Sequence, residues 1–254
     1  MGTPVITRVT LSGPSLKDPK LKMGRAKAHL DALNTELTRF IQRKPYKLTG
    51  RDDLKNQRYV VRIQFEKAPV ITALLVGDFV NCVRSALDQL AFQLALLTAR
   101  SPNRPGFPIC DAPKCFRQAK SKGGVIFEVP ADAGTVIESL QPYYGGAALQ
   151  DSFLWQLHRL WNIDKHNVIP IHSTTFYAKF PYEGAPIKGM SFDDYYEVYL
   201  PLSAKEKMDL HPTIPMEIIF GQWNSGFEVP SGRMAEIYTF VRDGVIPRFA
   251  SFFP

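Results

Sequence analysis

Residues 70–98 read VITALLVGDFVNCVRSALDQLAFQLALLT, the longest apolar stretch of the chain. Pro69 precedes this stretch, and proline is favoured near the start of a helix. Apolar residues face nearly every direction around such a helix, so most of its surface must be buried. We therefore predict a long helix over residues 70–98 in a helical core, with Gly77 marking a bend or a close contact with a neighbour.

One side of this predicted helix is polar at spacings of three or four residues: Asp78, Asn81, Ser85 and Asp88. Residues at these spacings lie in one stripe along a helix. Arg84 precedes Asp88 by four residues, the separation at which opposite charges pair on a helix. Buried charges need partners, which a ligand or a second polar helix can supply.

A second helix is predicted over residues 149–166, and it ends in LHRLWNIDKH, residues 157–166. Asp164 borders the apolar side of this helix, so we predict that it is partly buried and pairs with Arg84. Lys165 and His166 lie where the negative end of the helix dipole favours cations. Side by side, the two helices would form one polar cluster: Asp78, Asn81, Arg84, Asp88, Asp164, Lys165 and His166.

This polar cluster has a structural and a functional interpretation. A buried Arg–Asp network can fix the register of two packed helices without taking part in chemistry. The same groups can also form a small-ligand pocket or a proton-transfer site, because perturbed charge networks mark some functional sites. The sequence favours the structural interpretation and leaves the functional one open.

The remaining pattern predicts an α+β fold with a helical core and a strand layer. Alternating side chains over residues 57–66 indicate a strand that pairs with residues 47–52 as a hairpin. The region 168–220 supplies further strands, residues 5–11 form a weaker one, and residues 101–124 form a long surface connection. Long helices are predicted near residues 18–43, 70–98, 149–166 and 231–249.

We predict one domain over residues 1–254, in three portions of different composition: a basic N-terminal portion (1–67), a helical core (68–166) and a strand-rich C-terminal portion (167–254). Residues 1–67 contain 15 Lys and Arg against 6 Asp and Glu, whereas the whole chain has a net charge of +7. This concentration of cations leaves a nucleic-acid partner open. The sequence favours a solvated Lys-rich helix face, because no aromatic residues interleave the basic ones at the spacing expected of a base-stacking platform.

The three cysteines, Cys82, Cys110 and Cys115, form no CxxC pair. Their odd number and loose spacing argue against a disulfide framework and against structural zinc. The N-terminal residues lack the apolar segment of a signal peptide, and the charges within residues 70–98 argue against a membrane span. We therefore expect a cytoplasmic protein with no cofactor, no bound metal and no membrane partner.

Four segments together resemble a family of uncharacterised bacterial proteins. Residues 84–91, RSALDQLA, resemble its "RSALDHLA" helix with Gln89 in place of His, and Phe107-Pro108-Ile109 matches its "FPI" turn. Residues 140–143 match its "LQPY" segment, and Asp164-Lys165-His166 matches its "DKH" helix end. The resemblance covers most of the chain and implies that the polar groups of these segments form one unit, without implying an activity.

The chain is also similar to the HEPN superfamily of helical proteins, many of which are metal-independent ribonucleases of toxin and phage-defence systems. Their motif is Arg, four to six residues, then His. Arg159 and His166 fit this spacing, whereas Arg84 is followed five positions later by Gln89. The similarity implies that His166 acts as a general acid or base on a ribose hydroxyl and that Arg159 stabilises the phosphate.

Three functions therefore stay open. The first is a non-catalytic binding protein in which the Arg/Asp/His cluster is a structural lock or a ligand pocket. The second is a HEPN-like ribonuclease, active in a homodimer whose interface joins the catalytic residues. The third is a metal-dependent helical-bundle enzyme in which His158, His166 and His172 converge with a carboxylate, although the eight-residue spacing of the first two suits helical zinc ligands poorly.

Overall fold

The computed structural model describes residues 13–169, 171–178, 187–191, 195–203, 214–222 and 226–253. The fold is α+β, as the sequence predicts. The described residues form six α-helices: α1 (Lys17–Gln42), α2 (Val70–Ala95), α3 (Pro113–Lys120), α4 (Ala131–Ser139), α5 (Phe153–His166) and α6 (Arg233–Thr239). They also form seven strands: β1 (Tyr46–Asp53), β2 (Arg58–Phe65), β3 (Ile171–Ala178), β4 (Ile187–Ser191), β5 (Tyr195–Pro201), β6 (Met216–Gln222) and β7 (Phe227–Pro230).

Two compact units divide the chain. The first unit comprises Met1–Gly24, Val83–Trp155 and Thr239–Pro254, and the second comprises Arg25–Cys82 and Gln156–Tyr238. Both described sheets belong to the second unit, whereas α3 and α4 belong to the first.

The apolar helix α2 begins at Val70 as predicted and ends at Ala95, where residues 96–98 continue in tighter turns. It supplies fully buried side chains to each unit: Val76, Phe79 and Val80 to the second, and Val83, Leu87 and Leu90 to the first. Among the described residues, α2 is the helix whose length and composition would allow it to cross a membrane. Half of its most apolar 18-residue segment is buried.

The stretch 101–124, predicted as a surface connection, contains the helix α3, so that prediction is wrong in part. Pro113 opens the helix at a position where its missing N–H has no cost. Phe116 and Ala119, three residues apart, are its buried side chains. The many prolines and glycines of the stretch hide this short amphipathic pattern from a sequence-based prediction.

The predicted C-terminal helix over 231–249 changes its winding twice. The α-helix α6 ends at Thr239, a wider π-type turn spans Phe240–Val245, and a tighter 3-10 segment spans Ile246–Phe252. Pro247 accounts for part of this change, because it has no N–H to donate to the preceding turn. The predicted helix over 149–166 similarly begins only at Phe153, after a 3-10 segment.

Two antiparallel sheets account for the strands. The first sheet has the order β1-β2-β5, and the second has the order β4-β3-β6-β7. The predicted hairpin is the β1–β2 pair, and its register places Gly50 opposite Val61. Strands β4 and β7 were not predicted as separate elements, and the strand predicted at residues 5–11 lies outside the described residues.

The inner side of the first sheet packs into a small apolar core, which consists of Tyr59, Val61, Ile63, Phe65, Val198 and Ile214. Alternation along β2 places its odd-numbered residues on this side. Gly50 leaves the space that the Tyr59 ring occupies, since a Cβ at Gly50 would lie 1.6 Å from the Tyr59 hydroxyl oxygen.

We expect Gly50→Ala to destabilise the protein by about 1–3 kcal/mol, because the added methyl must displace the Tyr59 ring. The matched control is Gly24→Ala in α1, where a Cβ meets no atom within 4 Å. Alanine should stabilise that helix by about 0.5–1 kcal/mol. Urea unfolding followed by circular dichroism measures both changes, and a neutral effect at Gly50 would contradict the assigned packing.

Candidate functional site

A buried arginine holds part of the first unit together. Arg84 is 9% exposed, and its Nη2 donates to Asp88 Oδ1 at 2.8 Å and to the carbonyl oxygen of Phe107 at 2.6 Å. The Phe107 N–H donates to the same Asp88 oxygen at 3.0 Å. Burial lowers the pKa of Arg84, and the Asp88 carboxylate opposes that shift. The pair therefore binds both backbone polar groups of Phe107 to α2.

Gln141 completes this arrangement from the other end of the same turn. Its Nε2 donates to the carbonyl oxygens of Pro108 and Ile137, each at 3.0 Å. Its Oε1 accepts from the Cys110 N–H at 2.8 Å. The RSALD, FPI and LQPY segments thus meet in one network within the first unit, and these bonds are made largely to backbone. We call Arg84, Asp88 and Gln141 the turn clamp.

Cys110 and Cys115 form a disulfide bond, with Cα atoms 5.6 Å apart. The expectation against disulfide bonding is therefore wrong for this pair. The bond joins the clamped turn to the first turn of α3, a helix that the sequence analysis did not predict. The cytoplasmic location expected from the sequence stays a prediction.

Asp164 is partly buried, as predicted, and the hydrogen-bond partner that the structure gives it is Asn81. The Asn81 Nδ2 donates to Asp164 Oδ2 at 2.6 Å. A Cβ at Gly77 would lie 2.2 Å from Asp164 Oδ1, so Gly77 marks a close contact. The DKH segment thus meets α2 at Gly77 and Asn81. We predicted Arg84 as the partner of Asp164, and Arg84 lies about one helical turn after Asn81.

The other predicted residues of the cluster lie nearer to solvent. Asp78 has a side chain 62% exposed, with one carboxylate oxygen 3.7 Å from His29 Nδ1. Lys165 is exposed and places its Nζ 3.3 Å from the centroid of the Trp161 ring. The polar stripe of α2 therefore begins on an exposed surface rather than inside a buried seam.

The predicted catalytic pair lies on α5 in two environments. His166 is exposed at the end of the helix. Arg159 is half-buried, with its guanidinium carbon 5.6 Å from the centroid of the Phe227 ring. The structure gives no contact that joins the two side chains.

The metal-dependent alternative receives no support from the described part of the chain. Within the described ranges, no group of three or more His, Cys, Asp and Glu side chains is placed to hold a metal ion. The side chain of His172, the third predicted ligand, lies outside the described residues. The Nε2 atom of His158 lies 3.1 Å from the Asn162 amide nitrogen, one helical turn away.

The outer side of the first sheet carries a charged and aromatic surface that the sequence analysis missed. The register of the three strands places the residues of this surface in adjacent rows. They are Lys47, Thr49, Arg51 and Asp53 on β1, Arg58, Val60, Arg62 and Gln64 on β2, and Tyr195, Glu197 and Tyr199 on β5. We call this surface the arginine–tyrosine face. Tyr195 is 48% exposed and Tyr199 is 52% exposed, so both rings are open to solvent.

Each exposed tyrosine of this face stacks with one arginine of β2. The Arg62 guanidinium carbon lies 4.3 Å from the centroid of the Tyr195 ring, and that of Arg58 lies 4.1 Å from the centroid of the Tyr199 ring. Glu197 lies between the two tyrosines and accepts from Arg62 Nη2 at 2.7 Å. The hydrogen bond from Arg62 lowers the pKa of Glu197 more than any other contact does.

The sequence analysis missed this face because its two halves lie far apart in the chain. Arg62 and Glu197, which are hydrogen-bonded, are 135 residues apart. Along the chain no aromatic residue has the spacing of a stacking platform, whereas strand pairing places Tyr195 and Tyr199 beside Arg62 and Arg58. The alternation of Tyr195, Glu197 and Tyr199 was visible in the sequence, yet only strand pairing brings them beside the arginines.

Comparison with protein-family models, curated proteins and solved structures finds no match to this chain. The similarities to the RSALDHLA family and to the HEPN superfamily therefore stay predictions.

We expect Gly77→Ala to destabilise the protein by about 1–3 kcal/mol, because the new methyl group displaces the Asp164 carboxylate. In an Asp164→Ala background the same change should be neutral or stabilising, by up to about 1 kcal/mol, since alanine favours the helix. Urea unfolding of the four proteins in this double-mutant cycle measures the coupling. Equal effects of Gly77→Ala in both backgrounds would refute the close contact.

Proposed function

We propose that this chain is a non-catalytic binding protein that holds single-stranded nucleic acid on the arginine–tyrosine face. The observation that carries the proposal is the exposure of Tyr195 and Tyr199 on the side of the sheet where β1 and β2 carry four cations. Single-stranded nucleic acid is bound by surfaces that combine a basic track with aromatic rings for base stacking.

The charges of the face suit a polyanion. The face carries four cations and two anions. The cations are Lys47, Arg51, Arg58 and Arg62, and the anions are Asp53 and Glu197. Phosphate contacts supply most of the affinity of sequence-independent binding, and they release counterions from the strand. The basic character of residues 1–67 supports the proposal, because all four cations belong to that portion.

The aromatic part of the face favours unpaired bases. A base can stack on a tyrosine ring or on the plane of an arginine guanidinium, and both are present as stacked pairs. Bases inside a duplex are already stacked on one another, so their rings are closed to such contacts. The face therefore suits a single strand better than a duplex.

The turn clamp supports a non-catalytic function. Arg84, Asp88 and Gln141 bond to backbone groups of residues 107–110, which is the behaviour of a structural network. We propose that the clamp is the structural lock and that binding takes place on the sheet of the second unit.

We expect the double variant Tyr195→Ala, Tyr199→Ala to bind a fluorescein-labelled oligodeoxythymidylate at least about tenfold more weakly, because each stacked base contributes about 1–3 kcal/mol. Fluorescence anisotropy at fixed salt measures the affinity. The matched control is Tyr144→Ala, which removes a 64% exposed tyrosine from the first unit.

Two results would contradict the proposal. One is equal affinity of the wild-type protein and the double variant for the strand. The other is a preference of the wild-type protein for a duplex of the same sequence over the single strand.

A second candidate function is the HEPN-like ribonuclease, and the observation that favours it is the exposure of His166 at the end of α5. An accessible imidazole can exchange a proton with a ribose hydroxyl of a bound strand. Arg159 would stabilise the charge of the phosphate in such a reaction.

If this second candidate is correct, purified protein should cleave single-stranded RNA in EDTA, and His166→Ala should remove roughly 99% of that activity or more, the share of rate that general acid–base catalysis supplies. The control is His29→Ala, which alters a histidine of α1. Product formation on a denaturing gel measures the rate. Equal cleavage by wild-type protein and His166→Ala would exclude the reaction and leave binding as the function.

A further inference from the structure

Three donors of the arginine–tyrosine face converge on the carboxylate of Glu197. Arg62 donates to its Oε1 through Nη2 at 2.7 Å and through Nε at 3.1 Å. Arg51 places its Nη2 3.7 Å from the same oxygen. The Tyr199 hydroxyl donates to Oε2 at 3.0 Å. A single carboxylate thus engages two guanidinium groups and a phenol.

We propose that Arg51, Arg62 and Tyr199 form a phosphate subsite that Glu197 occupies in the free protein and that a phosphate of the bound single strand takes over by displacing it. This inference rests on the proposed function, since it assigns a residue-level contact to the same face. Glu197 is then an internal competitor of the ligand.

The chemistry of the donors supports this subsite. The planar guanidinium fork of arginine matches carboxylate and phosphate oxygens with the same two-point geometry. Arg62 bonds one carboxylate oxygen through both Nε and Nη2, and a phosphate oxygen can take the same position. The phosphate also offers more acceptor oxygens than the carboxylate, so it can bond to Arg62 and Tyr199 and still lie close to Arg51.

Exposure shows that a strand can reach the two cations. The side chains of Arg51 and Arg62 are 59% and 45% exposed, whereas that of Glu197 is 16% exposed. The carboxylate therefore lies beneath its donors, which keep much of their surface in solvent. A phosphate can therefore reach the two guanidinium groups from solvent and compete with Glu197 for their N–H donors.

A different role for Glu197 predicts the opposite change in the affinity for the strand. If Glu197 only orients the two arginines for the ligand, its removal would leave them mobile and weaken binding. If it competes with the ligand, its removal would strengthen binding. The sign of one affinity change therefore separates the two assignments.

The test is Glu197→Gln, measured by anisotropy with the same labelled oligodeoxythymidylate. We expect roughly fivefold tighter binding, because the variant removes from the free state an ion pair with two partly exposed arginines.

The matched control is Asp243→Asn in the first unit, where an exposed carboxylate pairs with Arg242 through bonds of 2.6 and 2.7 Å. It makes the same change of net charge and should alter the affinity far less. Equal strengthening by both variants would assign the effect to net charge and overturn the inference. Circular dichroism verifies that both variants are folded.

The remaining outcomes are distinct. Unchanged or weaker binding by Glu197→Gln, with a wild-type protein that binds the strand, overturns the subsite and leaves the proposed function intact. No binding by either protein overturns the proposed function itself. A competition experiment compares inorganic phosphate with chloride, each added at low concentration and equal ionic strength. If phosphate releases the strand and chloride does not, the subsite belongs to free phosphate, and its assignment to a strand is overturned.

Discussion

The ion pair between Arg84 and Asp88 is the contact on which the first unit depends. A guanidinium that is 9% exposed must keep its charge neutralised, and Asp88 does so from the next turn of the same helix. Arg84 also donates a hydrogen bond to the carbonyl oxygen of Phe107, and Asp88 accepts one from its N–H. Removing Arg84 would leave the Asp88 carboxylate and the Phe107 carbonyl without their bonds to it, and removing Asp88 would leave the buried guanidinium and the Phe107 N–H without theirs.

The two interactions made by α2 differ in kind although they lie one or two turns apart. The Arg84 bonds are charge-assisted and satisfy the backbone of a turn, whereas Asn81 and Gly77 accommodate a carboxylate from α5. Together they explain why polar residues and a glycine interrupt an otherwise apolar helix. Gly77, Asn81, Arg84 and Asp88 each contact a segment outside α2.

Much of the fold could be predicted from the sequence, because the strongest signals were local. The apolar periodicity of residues 70–98 and the alternation of residues 57–66 each reported an element within a few residues of its observed ends. Local composition failed at α3, whose prolines and glycines resemble a loop. It failed again after Thr239, where the winding changes without a change in the apolar pattern.

The candidate site was harder to predict, since its contacts are not local. The sequence brought Arg84 and Asp88 together correctly, because they are one helical turn apart. It did not indicate that Phe107 would be their partner, nor that Asn81 would meet Asp164. The arginine–tyrosine face depends on which strand pairs with β2, and no spacing along the chain encodes that choice.

The pairing of β2 with β5 determines when, during synthesis, the arginine–tyrosine face can form. A chain that emerges from the ribosome exposes β2 long before Tyr195 to Pro201 have been synthesised. Contacts between such distant segments form late, because the intervening chain must first be ordered. The surface that pairs arginine with tyrosine therefore forms only after β5 has been synthesised, and a nascent chain that stops short of Tyr195 lacks it.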